Sequence, residues 1–518
     1  LIAKVILALG VAVVVALGFL AFGNQAGEPD EPEATRALPT PTPTPIPTPA
    51  PSPTAVVATP SPTPSPTPTP TPYPGWVDPA SFGEPYGTSV EGLLTFRGSP
   101  TRSFYGSGPV PTTPQIAWTF PNGTMCSDST VGEETTNWCG TGWTGQPAVW
   151  ERDGTTLVAF GAYDAAVHLL DAETGERIVD DFVTGDIIKG SVTVDPDGYP
   201  LIYTGSRDDF FRVLSYDRGQ FSELWKLSAD AVSPVRWNDD WDGSALVLDD
   251  YLFEGGENSQ IHIVKLNRAY DADGQVTVDP ELVFNAPGWD DELIDAFGGN
   301  VSIENSVAIS GDTLWFANSG GLVQGWDIGG LADGETPERI FRWWSGDDID
   351  ASIVIDDEGM LYVAAEYERA LPRSREVGQL VKLDPSRPDD PIVWSIDDRG
   401  TLPAGFWATP AVLDDLVVAS TDGGRLLGID RFTGEIRWEK RLPGPLWSSQ
   451  VVVDGVLLQG DCSGILHAFD LTDTTVDPPE LWTIPLGGCI ESTPAVWNGV
   501  IYVGTRGGQM HAIADPTG

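Results

Sequence analysis

The sequence predicts an all-β fold, an eight-bladed β-propeller of four-stranded antiparallel blades, preceded by a transmembrane helix and a disordered Pro/Thr stalk. Three observations predict it. A four-part phrase of about forty residues, the period of a four-stranded blade, recurs from residue 115 to the end. The composition, with 58 Gly and 19 Trp in 518 residues, suits short, tightly turned strands capped by aromatic side chains. The last copy of the phrase lacks its fourth strand, and a stray strand ahead of the first copy matches the missing one.

Lys4 is followed by an uncharged apolar run from Val5 to Phe22 that spans ~27 Å as a helix, enough for a bilayer core. Asn24-Gln25-Ala26 is a poor small-x-small cleavage site, which favours a retained anchor over a cleaved signal. Lys4 ahead of the run and Glu28, Asp30, Glu31 and Glu33 behind it place the bulk of the chain outside the cytoplasm, in the cell envelope or at the cell surface. From Pro39 to Pro74 the chain is almost wholly Pro, Thr, Ser and Ala. Such a tract cannot bury a core, and as polyproline II it reaches roughly 110 Å. The expected organisation is an anchor at 1–24, a stalk at 25–75, an N-terminal extension at 76–114 and the propeller at 115–518. A net charge of -47 and a pI near 4.1 repel phosphate backbones, which excludes nucleic acid and favours cationic partners or metal ions.

Each unit of the phrase opens on a Ser/Thr-Pro-Ala-Val strand, as in Thr409-Pro410-Ala411-Val412 and Thr493-Pro494-Ala495-Val496. A hairpin turn such as Asp454-Gly455 or Asn498-Gly499 leads to a hydrophobic strand. A Gly-rich turn then leads to a third strand ending in Asp (GRLLGID, GILHAFD), and a fourth ends near Trp (EIRW, ELW). The units fall at 145–186, 187–230, 231–300, 301–348, 349–404, 405–444, 445–488 and 489–518. The last stops after GQMHAIA. Gln115–Phe120 therefore supplies its outer strand, closing the ring and removing an open edge.

Within this phrase, Gly428-Ile429-Asp430-Arg431-Phe432-Thr433-Gly434-Glu435-Ile436-Arg437-Trp438 resembles the tryptophan-docking repeat of quinoprotein dehydrogenases, and Asp171–Gly175 repeats its centre. The chain thus resembles the PQQ-like (quinoprotein alcohol dehydrogenase-like) propeller family over residues 115–518. The physical reading agrees: Asp and Thr can hold the Gly turn by local hydrogen bonds, and Trp offers a broad face for wedging blades. The resemblance implies fold more than function, because enzymes, envelope-assembly proteins and receptors share these repeats.

Four cysteines suggest two bonds, Cys126 with Cys139 and Cys462 with Cys489, as an exported protein permits. In a propeller the turn holding Cys462 and the crossing holding Cys489 share one face. Each bond closes a short loop and contributes about 3 to 4 kcal/mol by loop entropy.

The face carrying the second-to-third-strand turns is polar and acidic: Asp164, Asp208, Asp209, Glu257, Glu366, Asp422 and Asp461, with Arg207 and Arg506 among them. It is the expected ligand-binding face, although Asp also forms turns for purely local reasons. Denser acidic clusters precede three blades: Asp239, Asp240 and Asp242; Asp290, Asp291, Glu292 and Asp295; and Asp347, Asp348 and Asp350. The first is the candidate calcium site, since alternate Asp residues can supply several oxygen ligands; a solvated surface reads the same way. Three of the four His (168, 262, 467, 511) share one third-strand register, which reads as blade packing.

Three functions follow as expectations. The first is a membrane-anchored, monomeric, non-catalytic module binding a protein, peptide or glycan in the cell envelope. The second, implied by the resemblance, is a PQQ- and calcium-dependent dehydrogenase. Such enzymes carry adjacent cysteines beside the quinone, a Trp stacking below it and calcium-linked carboxylates; no Cys-Cys occurs here, and no catalytic residue can be carried over. The third is an envelope-assembly component.

Overall fold

The computed structural model of the protein describes residues 73–87, 89–131 and 134–516. The expected anchor and nearly all of the stalk lie outside them, and among the described residues no helix is long and apolar enough to cross a membrane.

Eight four-stranded antiparallel blades succeed one another along the chain. Their inner strands are Ala148–Arg152, Thr193–Val194, Leu246–Leu248, Ala308–Ser310, Val354–Ile355, Ala411–Val412, Val451–Val453 and Ala495–Trp497. Blades 3 and 5 carry insertions: a hairpin and the helix Asp291–Phe297 in the first, and the helix Pro372–Val377 in the second. The acidic run at 290–295 is that first helix. Asp290 caps it by accepting from Leu293 N at 3.0 Å and also pairs with Arg342 at 2.8 Å, so it is committed to structure.

Gln115–Phe120 pairs antiparallel with Gln509–Ala514, so the first blade-type strand completes the last blade. The seam is built like the junction of blades 5 and 6. Trp394 of blade 5 lies over Gly434 of blade 6, where a Cβ would come within 2.7 Å of the indole, and its Nε1 donates to Arg431 O at 2.9 Å. Trp118 of the closing strand repeats this on blade 1, lying over Gly175 at the same 2.7 Å and donating to Ala172 O at 2.9 Å. Local bonds hold both glycine turns: Asp171 Oδ1 accepts from the amides of Glu173 and Thr174, and Asp430 Oδ1 from those of Phe432 and Thr433. An apolar cluster with Phe120, Val158, Phe160, Tyr502 and Ala512 fills the seam.

The Ser/Thr that opens the phrase joins neighbouring blades. It lies two residues ahead of the inner strand in blades 2 to 8, blade 1 having Gln146 there, and at five junctions its hydroxyl accepts the backbone amide of the preceding blade. The bonds run from Gln146 N to Ser191 Oγ (2.9 Å), Ser244 N to Ser306 Oγ (2.9 Å), Ser306 N to Ser352 Oγ (2.9 Å), Ser352 N to Thr409 Oγ1 (3.0 Å) and Thr409 N to Ser449 Oγ (3.1 Å). Buried amides at the ring's centre would otherwise lack partners.

The extension at 76–114 fills the axis. Gly92–Leu93 runs antiparallel to the inner strand of blade 1, and Gly106–Ser107 runs parallel to that of blade 8, so the segment enters the channel and leaves by the same end. Between them it meets the other six blades. Leu94 O accepts from Val194 N, Pro100 O from Ile309 N and Thr101 O from Ile355 N. The Tyr105 hydroxyl accepts from Val412 N at 2.6 Å. Arg97 and Arg102 are both fully buried and donate mainly to carbonyls: Arg97 to Gln450 and Pro410, Arg102 to Val307 (2.7 Å), Phe96 (2.8 Å) and Ser244 (2.7 Å).

Trp118→Ala removes the indole that spans the seam. It is expected to lower stability by about 3 kcal/mol, the scale of a large aromatic deletion, and to raise aggregation by loosening the closing strand. Denaturant unfolding and size-exclusion chromatography check this; a variant as stable and monodisperse as the wild type contradicts the closure.

Candidate functional site

Two residues ahead of the relay hydroxyl, four ahead of each inner strand, stand Thr144, Lys189, Asp242, Glu304, Asp350, Trp407, Trp447 and Glu491 in blades 1 to 8. One residue per blade at one register forms a collar round the axis, on the face carrying the crossings and the second-to-third-strand turns. The plug floors this mouth: burial and then the charge of Arg102 are the main influences on Glu254, which also feels Asp242.

The arc of blades 2 and 3 is partly neutralised. Lys189 Nζ contacts Asp242 Oδ2 and lies 3.3 Å from Glu257 Oε1, Asn238 Nδ2 donates to Glu257 Oε2 at 2.8 Å, and Arg207 Nε meets Asp240 Oδ2 at 2.6 Å. One ammonium cannot hold two buried carboxylates ionised. Burial raises all these acids; at Glu257 it is outweighed by Lys189 together with hydrogen bonds from Asp242 and Asn238 and the charge of Arg207, so Glu257 stays below its ordinary value, whereas Asp242 rises to about 7 and Asp240 to about 8. Oxygens of Asp242, Glu257 and Glu304 lie within 4.8 Å of one another, the one such group of three potential metal ligands among the described residues.

The arc of blades 4 and 5 has less compensation. Glu304, Asp348, Asp350, Glu366 and Glu368 all have raised pKa values, each first through burial; neighbouring carboxylates push Glu304, Asp348, Glu366 and Glu368 further up, whereas hydrogen bonds with Glu366 and Asp348, and Lys189, hold Asp350 back, and Arg369 and the shared Lys189 are the cations acting on the group. Asp348 Oδ1, Asp350 Oδ1 and Glu366 Oε1 are buried without an N–H or hydroxyl donor, and Asp350 shares protons with Asp348 and Glu366 instead. In blades 6 and 7 the collar turns aromatic. Trp407 and Trp447 stack at 5.2 Å and 18°, Trp447 Nε1 donates to Asp422 Oδ1 at 2.8 Å, and Trp407 Nε1 is buried without a partner.

Over blades 8, 1 and 2 lies the hairpin of Cys126–Val131 and Glu134–Cys139, bonded across its base by Cys126–Cys139. Its Trp138 takes Arg506 at 4.8 Å and Arg207 at 5.9 Å. The two arginines therefore converge, but on an indole, and each is already paired: Arg506 with Glu491 (3.0 Å) and Arg207 with Asp240.

Of the residues singled out in the sequence, Arg207, Asp240, Asp242, Glu257, Glu366, Asp348 and Asp350 come together at the mouth. Asp422 reaches the mouth only through Trp447, and the others are engaged in local pairs. Asp164 meets His168 at 3.1 Å, Asp208 holds Arg212, Asp461 caps its turn and meets His467 at 3.1 Å, and Asp239 bonds Asp209. All four His, not three, occupy the third position of a third strand. Burial lowers His262 and His511 to about 4; at His168 and His467 it is outweighed by flanking carboxylates, which raise both. Lys189, Glu304, Glu368, Trp407 and Trp447 were missed by the sequence reading. Aligning the units on the relay hydroxyl would have found four of them.

PQQ does not fit these residues. It is multiply anionic, the mouth is lined by carboxylates, the two arginines are engaged, and neither disulfide joins adjacent cysteines. Calcium fits the oxygen donors of Asp242, Glu257 and Glu304, in competition with Lys189.

Raised carboxylates give the fold a pH dependence with a definite sign. Asp242 keeps its proton in the folded chain up to about 7, against 3.8 ordinarily, so its contribution is full below pH 4 and lost as pH rises to 7. Asp242→Asn cannot titrate. Its melting temperature relative to wild type should climb between pH 4 and 7; a constant difference contradicts the assignment. Non-reducing peptide mapping should recover Cys126 linked to Cys139 and Cys462 to Cys489, and free thiols or crossed pairs would contradict the hairpin and the blade 7–8 junction.

The sequence family described as outer membrane protein assembly factor BamB matches residues 376–518, from the inserted helix of blade 5 to the last blade. No curated protein matches the chain. Among solved structures, the quinohemoprotein alcohol dehydrogenase of Comamonas testosteroni is 13% identical with a TM-score of 0.51, covering 82% of each chain. A quinohemoprotein alcohol dehydrogenase of Pseudomonas putida is 12% identical with a TM-score of 0.54 and the same 82% coverage of both chains. A europium-containing methanol dehydrogenase is 13% identical with a TM-score of 0.51, covering 82% of this chain and 98% of its own. At such identities the likeness is one of fold. With the docking turns, the closed ring and the matched repeats taken together, the chain has the β-propeller fold of these dehydrogenases, and its residues 376–518 match the family of PQQ-like repeats.

Proposed function

We propose that this propeller is a non-catalytic binding module whose acidic mouth takes a cationic group of a protein or peptide, and that the anchor and stalk hold it outside the cytoplasm. One observation carries the reading. The mouth buries Asp240, Asp242, Glu257, Glu304, Asp348, Asp350, Glu366 and Glu368 against Lys189, Arg207 and Arg369, so protons or an incoming cation must make up the difference. The apolar N-terminal run, the Pro/Thr tract and two disulfides support an exported location. Calcium is the metal that suits these ligands. A role in envelope assembly is the second reading, supported by the description of the family matching residues 376–518.

Thermal melting at pH 7.5 with calcium chloride, and separately with oligolysine, tests the mouth as a cation site. Each cation should raise the melting temperature of the wild type, and Glu304→Gln combined with Asp350→Asn should remove the effect while leaving a folded ring. If neither cation stabilises the wild type at moderate ionic strength, the reading fails.

A further inference from the structure

Resting on the cation-binding reading, the geometry points to a narrower ligand: we infer that the mouth binds the arginine side chain of a peptide, its guanidinium bonded by the carboxylates of blades 4 and 5 and its plane lying on the tryptophans of blades 6 and 7. Neighbours touch at the collar register. Asp242 and Glu304, one blade apart, bring oxygens within 4.8 Å, and Trp407 and Trp447, also one blade apart, stack at 5.2 Å. The same register sets Trp407 beside Asp350, so the acidic arc and the aromatic pair are continuous.

Two features of the site distinguish the ligand from a bare ion. Glu366 is 2% exposed, and its Oε1 and Asp350 Oδ1 receive no N–H or hydroxyl donor from the rest of the protein; the bond they have is a proton shared between the two carboxyls. A cation that carries N–H donors can take the place of that proton and bond both carboxylates. The buried Nε1 of Trp407 is a donor without an acceptor, and a peptide carbonyl supplies one. A guanidinium answers the acceptors with a planar fork of donors and also stacks on an indole, whereas an ammonium offers donors without a face and a tetraalkylammonium offers no donors. Both tryptophans remain partly exposed, so a ligand can reach them. On the opposite arc Lys189 already fills the comparable position between Asp242 and Glu257.

The test is calorimetry on the full chain at pH 7.5 with three uncharged-ended pentapeptides that differ only at the centre, carrying Arg, Lys or trimethyl-lysine, with calcium-induced thermal stabilisation measured beside it. The Arg peptide should bind best and trimethyl-lysine worst. Trp447→Ala should weaken the Arg peptide roughly fivefold to tenfold, the scale of one cation–π contact, and Trp447→Phe should restore most of it. Glu366→Gln should also weaken it, and stabilisation by calcium should persist in both Trp447 variants, which shows that they fold. Equal affinity for all three peptides, or binding indifferent to Trp447→Ala, overturns the inference. Calcium stabilisation without any peptide binding overturns it too and leaves the broader cation reading standing; loss of both responses in the wild type removes both.

Discussion

The bond from a backbone amide of one blade to a hydroxyl of the next is the constraint on which this ring depends. Eight wedges of sheet can pack apolar faces at many angles, because hydrophobic contact is not directional. A hydrogen bond of 2.9 to 3.1 Å between fixed main chain and a short side chain is directional, and it recurs from Gln146 to Ser191 and from Ser244 through Ser306, Ser352 and Thr409 to Ser449. It sets the height at which the inner strands it joins begin relative to one another. The docking tryptophans do the same work at the rim: Trp394 holds the junction of blades 5 and 6 there as Thr409 holds it near the axis, and Trp118 holds the seam.

Because the relay fixes height, it also fixes what stands two residues earlier. The collar is a consequence of register: whichever side chain the sequence places there meets its counterparts from both neighbouring blades. Here that position holds a lysine, then three carboxylates, then two tryptophans, so the mouth has a polarity round its circumference that a symmetric fold would otherwise lack. The plug adds a second asymmetry, along the axis, by closing one end of the channel beneath Glu254. The result is a blind well with different chemistry on different walls.

Much of the fold was legible in the sequence because the signals are local and repeated. Asp-x-x-Thr-Gly, the Asn-Gly and Asp-Gly turns and the orphan strand at Gln115 each carry their meaning within a few residues, and repetition removes chance matches. The plug was not legible. Residues 92–107 have no period, and their partners, such as Gln450 and Pro410 for Arg97, lie more than three hundred residues away. The site was half legible for a related reason. Acidic turns such as Asp164 and Asp461 stand out as strongly as Asp242, but nothing local tells a carboxylate bonded to its own blade's histidine from one crowded by its neighbours. Glu304 and Trp407 stand in unremarkable stretches and gain significance only from the ring.

The threaded axis also bears on how such a ring can change over evolutionary time. Repeat proteins commonly grow or shrink by copying or losing one unit, and an open-centred ring absorbs such an event by altering its diameter. This ring has its width written into a separate segment of the same chain. Arg102 reaches carbonyls at 244 and 307, Arg97 those at 410 and 450, and Gly92 and Gly106 pair with the first and last blades. A ninth or a missing seventh unit would move those carbonyls apart or together and strand two buried guanidinium groups. Blade number here is thus coupled to a stretch of sequence outside the repeats, and a duplication succeeds only if that stretch is rewritten with it.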